Sequence, residues 1–525
     1  MPTRDKIFDV RFGGGWATDL GPAFGGGTSE GVIVVPFLVD GQDLFYELDG
    51  GPHKLWGATK LNSTAITETG TAQPVNGMFD YWRMGTSGTA VQRRICAAGT
   101  KILKEDLDGV WDDLFTGLED DKIPSFCVFD DILIISTDSA VDVPRSWDQT
   151  TAQNLAGTPP NFAFAVEHKN HVFAAGVWAN PSRLYYSQPL DPEDWTSAGS
   201  GSIDISPDDG DRITGLASHK NELWVFKGPY KGSIHRLTGS AEADWARTTF
   251  INGIGCAAHN TIFRYGDDLG FMGIDGDIHS LAATAAFGDF NQKFLSAPIA
   301  RYIHDSMSHT RLQYASAATH PSMGIVIITV SGAGQSQNDQ CLMMDYRFNP
   351  VRWALWPTVN AASVAIMRNS GVPRPFFGGY DGYVRRGENP NRSFDGTALS
   401  YKVTLPYLNF GAPDEAKTVS RLRVSQAPKG SYDLTLQWQG DNQASQSATV
   451  EQGGADILGP VDENEFTLDT SILGGGRYSS RFVSTASGEF KELQLQIRQS
   501  TLNEDAEVHG LGVHMTFNGV VTEAA

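Results

Sequence analysis

Short apolar runs separated by polar turns recur along most of the chain. The clearest copies run from Asn161 to Ser187 and from Arg212 to Gly239. Each holds an apolar run, a polar turn, a second apolar run rich in aromatics, a Gly/Pro turn and a third run. The polar turns share a spelling, His168-Lys169-Asn170 and His219-Lys220-Asn221. The runs that follow, Val172 to Ala175 and Leu223 to Phe226, read as strands buried on both faces. Three or four such strands make one small antiparallel sheet, which cannot bury both faces alone. The remainder of the chain must supply more of them.

It does. From about residue 76, Phe79 to Arg83 leads into Val91 to Ala98 and Thr100 to Leu103, with the Asp108-Gly109 signal of a tight hairpin before Trp111. Pro124 to Phe129 and Ile132 to Ser136 flank an Asp130-Asp131 turn. Further units begin near Gly255, Leu312 and Ser363. The segment 285–310 has weak strand character, and Pro298 to Ser308 reads as a short helix inserted between sheets. Starts at Phe126, Phe162, Ile213, Cys256, Leu312 and Ser363 scatter around the roughly 40–50 residues of a four-stranded propeller blade. Units of this length that cannot close their own cores point to radial packing about a channel. The expected fold is all-β, with a β-propeller-like domain of six or seven irregular blades over 76–394. Stacked sandwiches are the alternative.

The two ends differ from this middle. Residues 1–75 hold glycine triplets at Gly13 to Gly15 and Gly25 to Gly27, which permit positive φ or close approach of backbone. This stretch reads as an extended N-terminal arm with entry strands, packed on the domain or on a neighbour. Beyond Gly387 to Asn391 alternation becomes strict, as in Leu434 to Trp438, Leu493 to Arg498 and Val513 to Phe517. One-sided strands of this kind predict a C-terminal antiparallel β-sandwich over 395–525, with Gln439 to Pro460 as an exposed loop.

Composition narrows the function. A net charge of −21 disfavours a non-specific nucleic-acid binder, which needs a basic footprint. It suits a solvated acidic shell or the wall of a channel that must not hold passing DNA. No long uncharged apolar run predicts a membrane helix, and the start lacks a signal-peptide core, which points to synthesis and assembly in the cytoplasm. The widely spaced Cys96, Cys127, Cys256 and Cys341 read as small buried thiols, without a disulfide framework or zinc site.

Catalytic patterns do not surface. G-x-S-x-G, G-x-x-x-x-G-K-[ST] and H-E-x-x-H are all missing from the sequence. The Asp106-Leu107-Asp108-Gly109 and Asp275-Gly276-Asp277 stretches lack the rest of an EF-hand ligand set and read as hairpin turns. Asp208-Asp209-Gly210-Asp211 is a denser acidic cluster, either a cation site or an exposed loop. His168, His219, His259 and His320 sit in turns rather than at metal-ligand spacing, with His259-Asn260 placed as the equivalent of His219-Lys220-Asn221. Accordingly no catalytic, cofactor-binding or metal-binding residue is assigned, no cofactor is expected, and the chain is not expected to be an enzyme. Asp108-Gly109-Val110-Trp111 is only a fragment of the sialidase blade turn.

Several stretches resemble tail structural proteins of tailed bacteriophages. These are Gly13 to Asp19, the run Asp49 to Leu61 with its G-x-x-K-x-x-G-x-x-x-L pattern, Trp82 to Thr86, Gly99 to Ile102 and Phe129 to Ile134. The general plan resembles the propeller-bearing nozzle at the end of short-tailed phage tails. That resemblance implies a virion protein, assembled in the host bacterial cytoplasm, that forms a homo-oligomeric ring, usually a hexamer. The ring would dock on the tail adaptor, continue the DNA-ejection channel without gripping DNA, and offer its outer face to fibres or tailspikes. The alternatives are a receptor- or carbohydrate-binding propeller and a glycan-cleaving enzyme, which would need two carboxylates about 5–10 Å apart in a central pocket.

Overall fold

The computed structural model describes residues 4–19, 23–24, 32–85, 88–282, 294–427, 433–441, 443–451, 479–484 and 488–520. The chain divides into two compact units: residues 59–341 with 360–387, and residues 1–58, 342–359 and 388–525. The first is therefore an insertion in the chain of the second. The expected boundaries lie at 75 and 394, those of these units at 58/59 and 387/388, and the segment 342–359 joins the terminal unit.

The described residues of the inserted unit form a ring of seven blades, of which the sixth and seventh are parts of larger sheets. Their first strands begin at Val75, Pro124, Phe164, Arg212, Phe263, Ser316 and Ser363, spaced between 40 residues (Pro124 to Phe164) and 53 (Phe263 to Ser316). Four blades are complete four-stranded meanders, for example Arg212–His219, Glu222–Gly228, Ser233–Thr238 and Ala246–Asn252. The two stretches with the shared His-Lys-Asn spelling are consecutive blades. In each, the Lys and Asn both take positive φ (51° and 63° at 169–170, 49° and 66° at 220–221), as does the Asp130-Asp131 pair. This is the type I′ geometry that matches the right-handed twist of the flanking strands.

The apolar cores lie between blades, not within them. Leu133, Ile135 and Trp147 of the second blade pack with Tyr81, Ile95 and Ile102 of the first. Cys127 and Ile134 pack with Phe162 and Val172, and Phe173 and Leu184 with Leu216 and Val225. Trp224 and Phe226 continue onto Cys256 and Phe271, and Met367, Phe376 and Val384 return to Val75, Met78 and Leu103. The innermost strands follow in the same order, with the 3₁₀ turn His259–Thr261 touching both Arg212–His219 and Ser316–His320, and Ser363–Asn369 meets Val75–Met84, so the ring closes. All four cysteines are buried.

The last blade takes its outer strand from upstream. Ser363–Asn369, Val372–Gly378 and Val384–Asn389 are followed in the sheet by Gly57–Lys60. At this seam the Leu61 N–H donates to the Val384 carbonyl at 2.7 Å and the Ile66 N–H to that of Gly382 at 2.8 Å.

Several sequence expectations change in detail. Asp108-Gly109 is not a two-residue turn. The strands Lys101–Glu105 and Trp111–Phe115 are joined by a longer loop with positive φ at Leu107 and Gly109, because buried Glu105 accepts the Gly109 N–H at 2.7 Å while pairing Arg94 at 2.7 Å. The expected helix is an α-helix over Ala300–Ser306 bracketed by 3₁₀ turns. Within Gln439 to Pro460, Gln446–Val450 pairs with Leu434–Gly440 instead of lying in a loop, and 452–460 is outside the described residues.

The terminal unit is a β-sandwich made from both chain ends. One sheet runs in the order Val32–Val35, Arg4–Phe12, Val508–Val520, Glu415–Gln426, Ser479–Ser484. The N-terminal arm is thus an internal strand, antiparallel to Val508–Val520 and parallel to Val32–Val35. Its alternation explains this: Phe8, Val10 and Phe12 are buried, and Phe8 meets Phe410 and Phe517 with ring centroids 5.2 and 6.2 Å apart. The triplet Gly13 to Gly15 is a site of close approach, since a Cβ on Gly14 would lie 1.6 Å from the Pro36 carbonyl oxygen; Gly25 to Gly27 lie outside the described residues. Removing residues 2–12 should strip the sheet of an internal strand and roughly 5 kcal/mol or more, at about 1.5–3 kcal/mol per buried apolar side chain. Limited proteolysis is then expected to degrade the terminal unit while residues 59–341 and 360–387 persist as a core.

Candidate functional site

The seven inner strands surround a cavity of about 640 Å³. Its wall is largely small: Gly77, Ser125, Ala165, Ala217, Ala317 and Ala365 each come from a different blade. Inner strands converge on the axis, so small side chains there let the backbones approach while larger ones fill the spaces between blades.

Several polar groups that reach this wall are already engaged. The Asp80 carboxylate accepts from the Gln92 amide at 2.6 Å and from the Arg368 N–H at 2.9 Å, using both oxygens. Arg264 donates to the Ser218 carbonyl at 2.5 Å. His259 stacks on Phe164 at 4.7 Å and accepts the Leu216 N–H at 3.4 Å; desolvation pushes its pKa down to about 4. His259 is therefore not the counterpart of His219. It opens the 3₁₀ turn His259–Thr261 ahead of a blade, whereas His219 ends an inner strand. The shared His-x-Asn-like spelling misled because turn residues recur for different backbone reasons. Glu167 is exposed at the cavity.

The acidic cluster 208–211 is neither a bare loop nor a cation pocket. Its cation is internal. Lys227 is fully buried, and its ammonium donates to Asp209 at 2.6 Å, to the Ile205 and Ser206 carbonyls at 2.9 and 2.8 Å, and to Ser182 at 3.1 Å. Asp211 accepts three backbone N–H groups, from Tyr230, Lys231 and Gly232, and so fixes the turn of that blade. Asp277, in the Asp275-Gly276-Asp277 turn, accepts from Ser296 at 3.0 Å and lies 3.2 Å from His304. Two other buried histidines are structural. His168 lies 2.9 Å from the Ser218 hydroxyl, and His235 lies between Ser233 and Thr249 at 3.0 and 3.3 Å.

Among the described residues, one group brings a histidine together with carboxylates at metal-ligand range: Glu47, His53 and Glu507, in the terminal unit. Sequence reasoning missed it because 452 positions separate His53 from neighbouring Asp505.

Ring closure, inter-blade cores and an axial cavity define a β-propeller protein that also carries a β-sandwich. No protein-family model matches the chain, and no curated protein matches it. Among solved structures, the chain is similar to YCF48 bound to a peptide, at 11% identity and a TM-score of 0.37, over 64% of this chain and 95% of that one. It is also similar to an ancestral GH74 enzyme at 10% identity and a TM-score of 0.40, over 63% of this chain and about half, 51%, of that one. Likeness at this level carries no weight for function.

Two outcomes follow. Lys227→Met should destabilise the propeller by about 3 kcal/mol, the low end for breaking a buried ion pair because Asp209 keeps some solvent access; chemical denaturation of the full chain measures it. Burial pushes His168 and His235 down to about 4 in the folded chain, while the unfolded chain takes up these protons near 6.5. The unfolded state thus binds more protons between those values, so stability holds above pH 6.5 and falls as pH drops toward 4. Each histidine adds a slope of about 1.4 kcal/mol per pH unit within that window, and His235→Gln should flatten the profile by one such contribution.

Proposed function

We propose that the chain is a structural component of a bacteriophage tail. It forms a homo-oligomeric nozzle ring that docks on the tail adaptor and continues the DNA-ejection channel, with no chemistry of its own. The observation that carries this reading is the structural work done by the G-x-x-K-x-x-G-x-x-x-L residues of the phage-like stretch. Lys54 is fully buried and donates to Gln499 at 2.5 Å and to the Thr501 carbonyl at 3.1 Å. Gly57 passes so close to Asn391 that a Cβ would lie 1.4 Å from its carbonyl oxygen. Leu61 forms the first backbone bond at the propeller seam. Lys54, Gly57 and Leu61 are thus held in place along the stretch that leads into the propeller, which supports the role the phage resemblance implies for it.

The axial cavity itself is sized like a small-ligand pocket, about 300–1,000 Å³, and no duplex fits it. In this reading the DNA channel forms between subunits, and the charge of −21 keeps its wall from holding DNA. A receptor- or glycan-binding role is the second reading. It draws support from Trp178 and Tyr230, 53% and 80% exposed, which project from corresponding turns of consecutive blades. Flat aromatic faces of this kind suit sugar rings.

The native mass of the full-length chain separates the readings. A closed ring of several copies, with an open axis by electron microscopy, is expected. A stable monomer that binds glycans through Trp178 and Tyr230, or that turns over a polysaccharide, would contradict the nozzle.

A further inference from the structure

We propose that Glu47, His53 and Glu507 form a binding site for one divalent transition-metal ion, such as Zn²⁺ or Mn²⁺, within the terminal unit. The hairpin Leu44–Tyr46/Pro52–Lys54 brings Glu47 and His53 to the same end, and an antiparallel bridge sets His53 against Glu507. The three donor atoms lie within 4.8 Å of one another. His53 Nδ1 is 2.7 Å from Glu47 Oε1 and 3.7 Å from Glu507 Oε2. His53 and Glu507 are 4% and 8% exposed, so water screens the group poorly.

The surroundings orient the imidazole for this task. His53 Nε2 lies 2.9 Å from Asp505 Oδ1, and Arg392 holds the other Asp505 oxygen at 2.7 Å. Arg392 Nη2 also lies 3.1 Å from His53 Nε2, and Nδ1 faces the two carboxylates. A carboxylate behind a histidine is the arrangement that fixes the tautomer of a metal-ligating ring and raises its basicity. The ring face is packed on Phe45, with centroids 4.7 Å apart, which removes its remaining freedom. His509 Nε2 lies 2.9 Å from Glu507 Oε1, and Glu507 Oε2 faces His53 Nδ1 at 3.7 Å; a divalent ion would engage Nδ1, Glu47 and this second Glu507 oxygen together. Ligands about 2.0–2.2 Å from an ion stand roughly 3–3.6 Å apart, so binding would open the 2.7 Å Nδ1–Glu47 contact slightly and draw Glu507 in from 3.7 Å. One nitrogen with two carboxylates favours Zn²⁺ or Mn²⁺, whereas Ca²⁺ and Mg²⁺ prefer oxygen-only shells.

Such an ion would tie the N-terminal hairpin to the strand Val508–Val520, joining segments from the two ends of the chain. Because the site exists only in the folded unit, binding is coupled to folding.

Calorimetric titration of the full chain, stripped with EDTA, with ZnCl₂ or MnCl₂ tests this, alongside thermal melting. One ion per chain and a raised melting temperature are expected. Asp505→Asn should weaken binding about 10–100-fold. Glu47→Gln and His53→Gln should each weaken it at least as much and abolish the thermal shift; Glu47 is partly exposed, so its variant remains informative if His53→Gln does not fold. Failure of the wild-type chain to bind either ion stoichiometrically, binding of Ca²⁺ or Mg²⁺ alone, or unchanged affinity in Glu47→Gln would overturn the proposal.

Discussion

Every blade of this propeller is too thin to stand alone, and that single constraint organises the inserted unit. Strands such as Val172 to Ala175 are buried on both faces, so each sheet needs a neighbour on either side. An open row would leave two apolar faces exposed; a ring leaves none. The cores sit between blades for this reason, and small residues collect where the inner strands converge. Ser363–Asn369 against Val75–Met84 is the contact that turns a row into a ring.

Closure also explains the connectivity. The last blade borrows Gly57–Lys60 from upstream as its outer strand, so the chain must be anchored before it enters the ring. Lys54, Gly57 and the hairpin around Tyr46 provide that anchor. The Tyr46 hydroxyl donates to the Trp353 carbonyl at 2.7 Å, and Trp356 donates to that of Leu44 at 2.7 Å. Arg352 lies 3.8 Å over Phe348 and holds the Gly13 and Gly50 carbonyls at 2.8 and 3.1 Å. Residues 342–359 thus share a core with the N-terminal segment, and both termini enter one sandwich.

Local rules in the sequence reached far into this fold. Paired apolar runs, turn chemistry at Lys169-Asn170 and Lys220-Asn221, and strict alternation beyond residue 395 all specify strands through contacts a few residues apart. What they could not show were pairings across long separations. The irregular blade spacing read from the sequence came from starts taken at any apolar run, Cys256 and Leu312 among them, where the inner strands begin at Phe263 and Ser316. His259 was matched to His219 by spelling, although backbone position differs. The cluster 208–211 gave no sign that Lys227 would fill it, because a lysine beside an apolar strand run reads as solvent-facing. The alternation of Phe8, Val10 and Phe12 did not single out a strand in the arm, because its partner lies more than 490 positions away. The Glu47, His53 and Glu507 group was hidden for the same reason.

The seam at Leu61 tests the closed ring most directly. Hydrogen exchange of the full chain, read by mass spectrometry, reports on the amides of Leu61, Ile66 and Val75, which bond to the carbonyls of Val384, Gly382 and Gly379. A closed propeller predicts that they exchange as slowly as the buried strand Val172 to Ala175. Exchange at loop rates across residues 61–75, with the other blades protected, would contradict it.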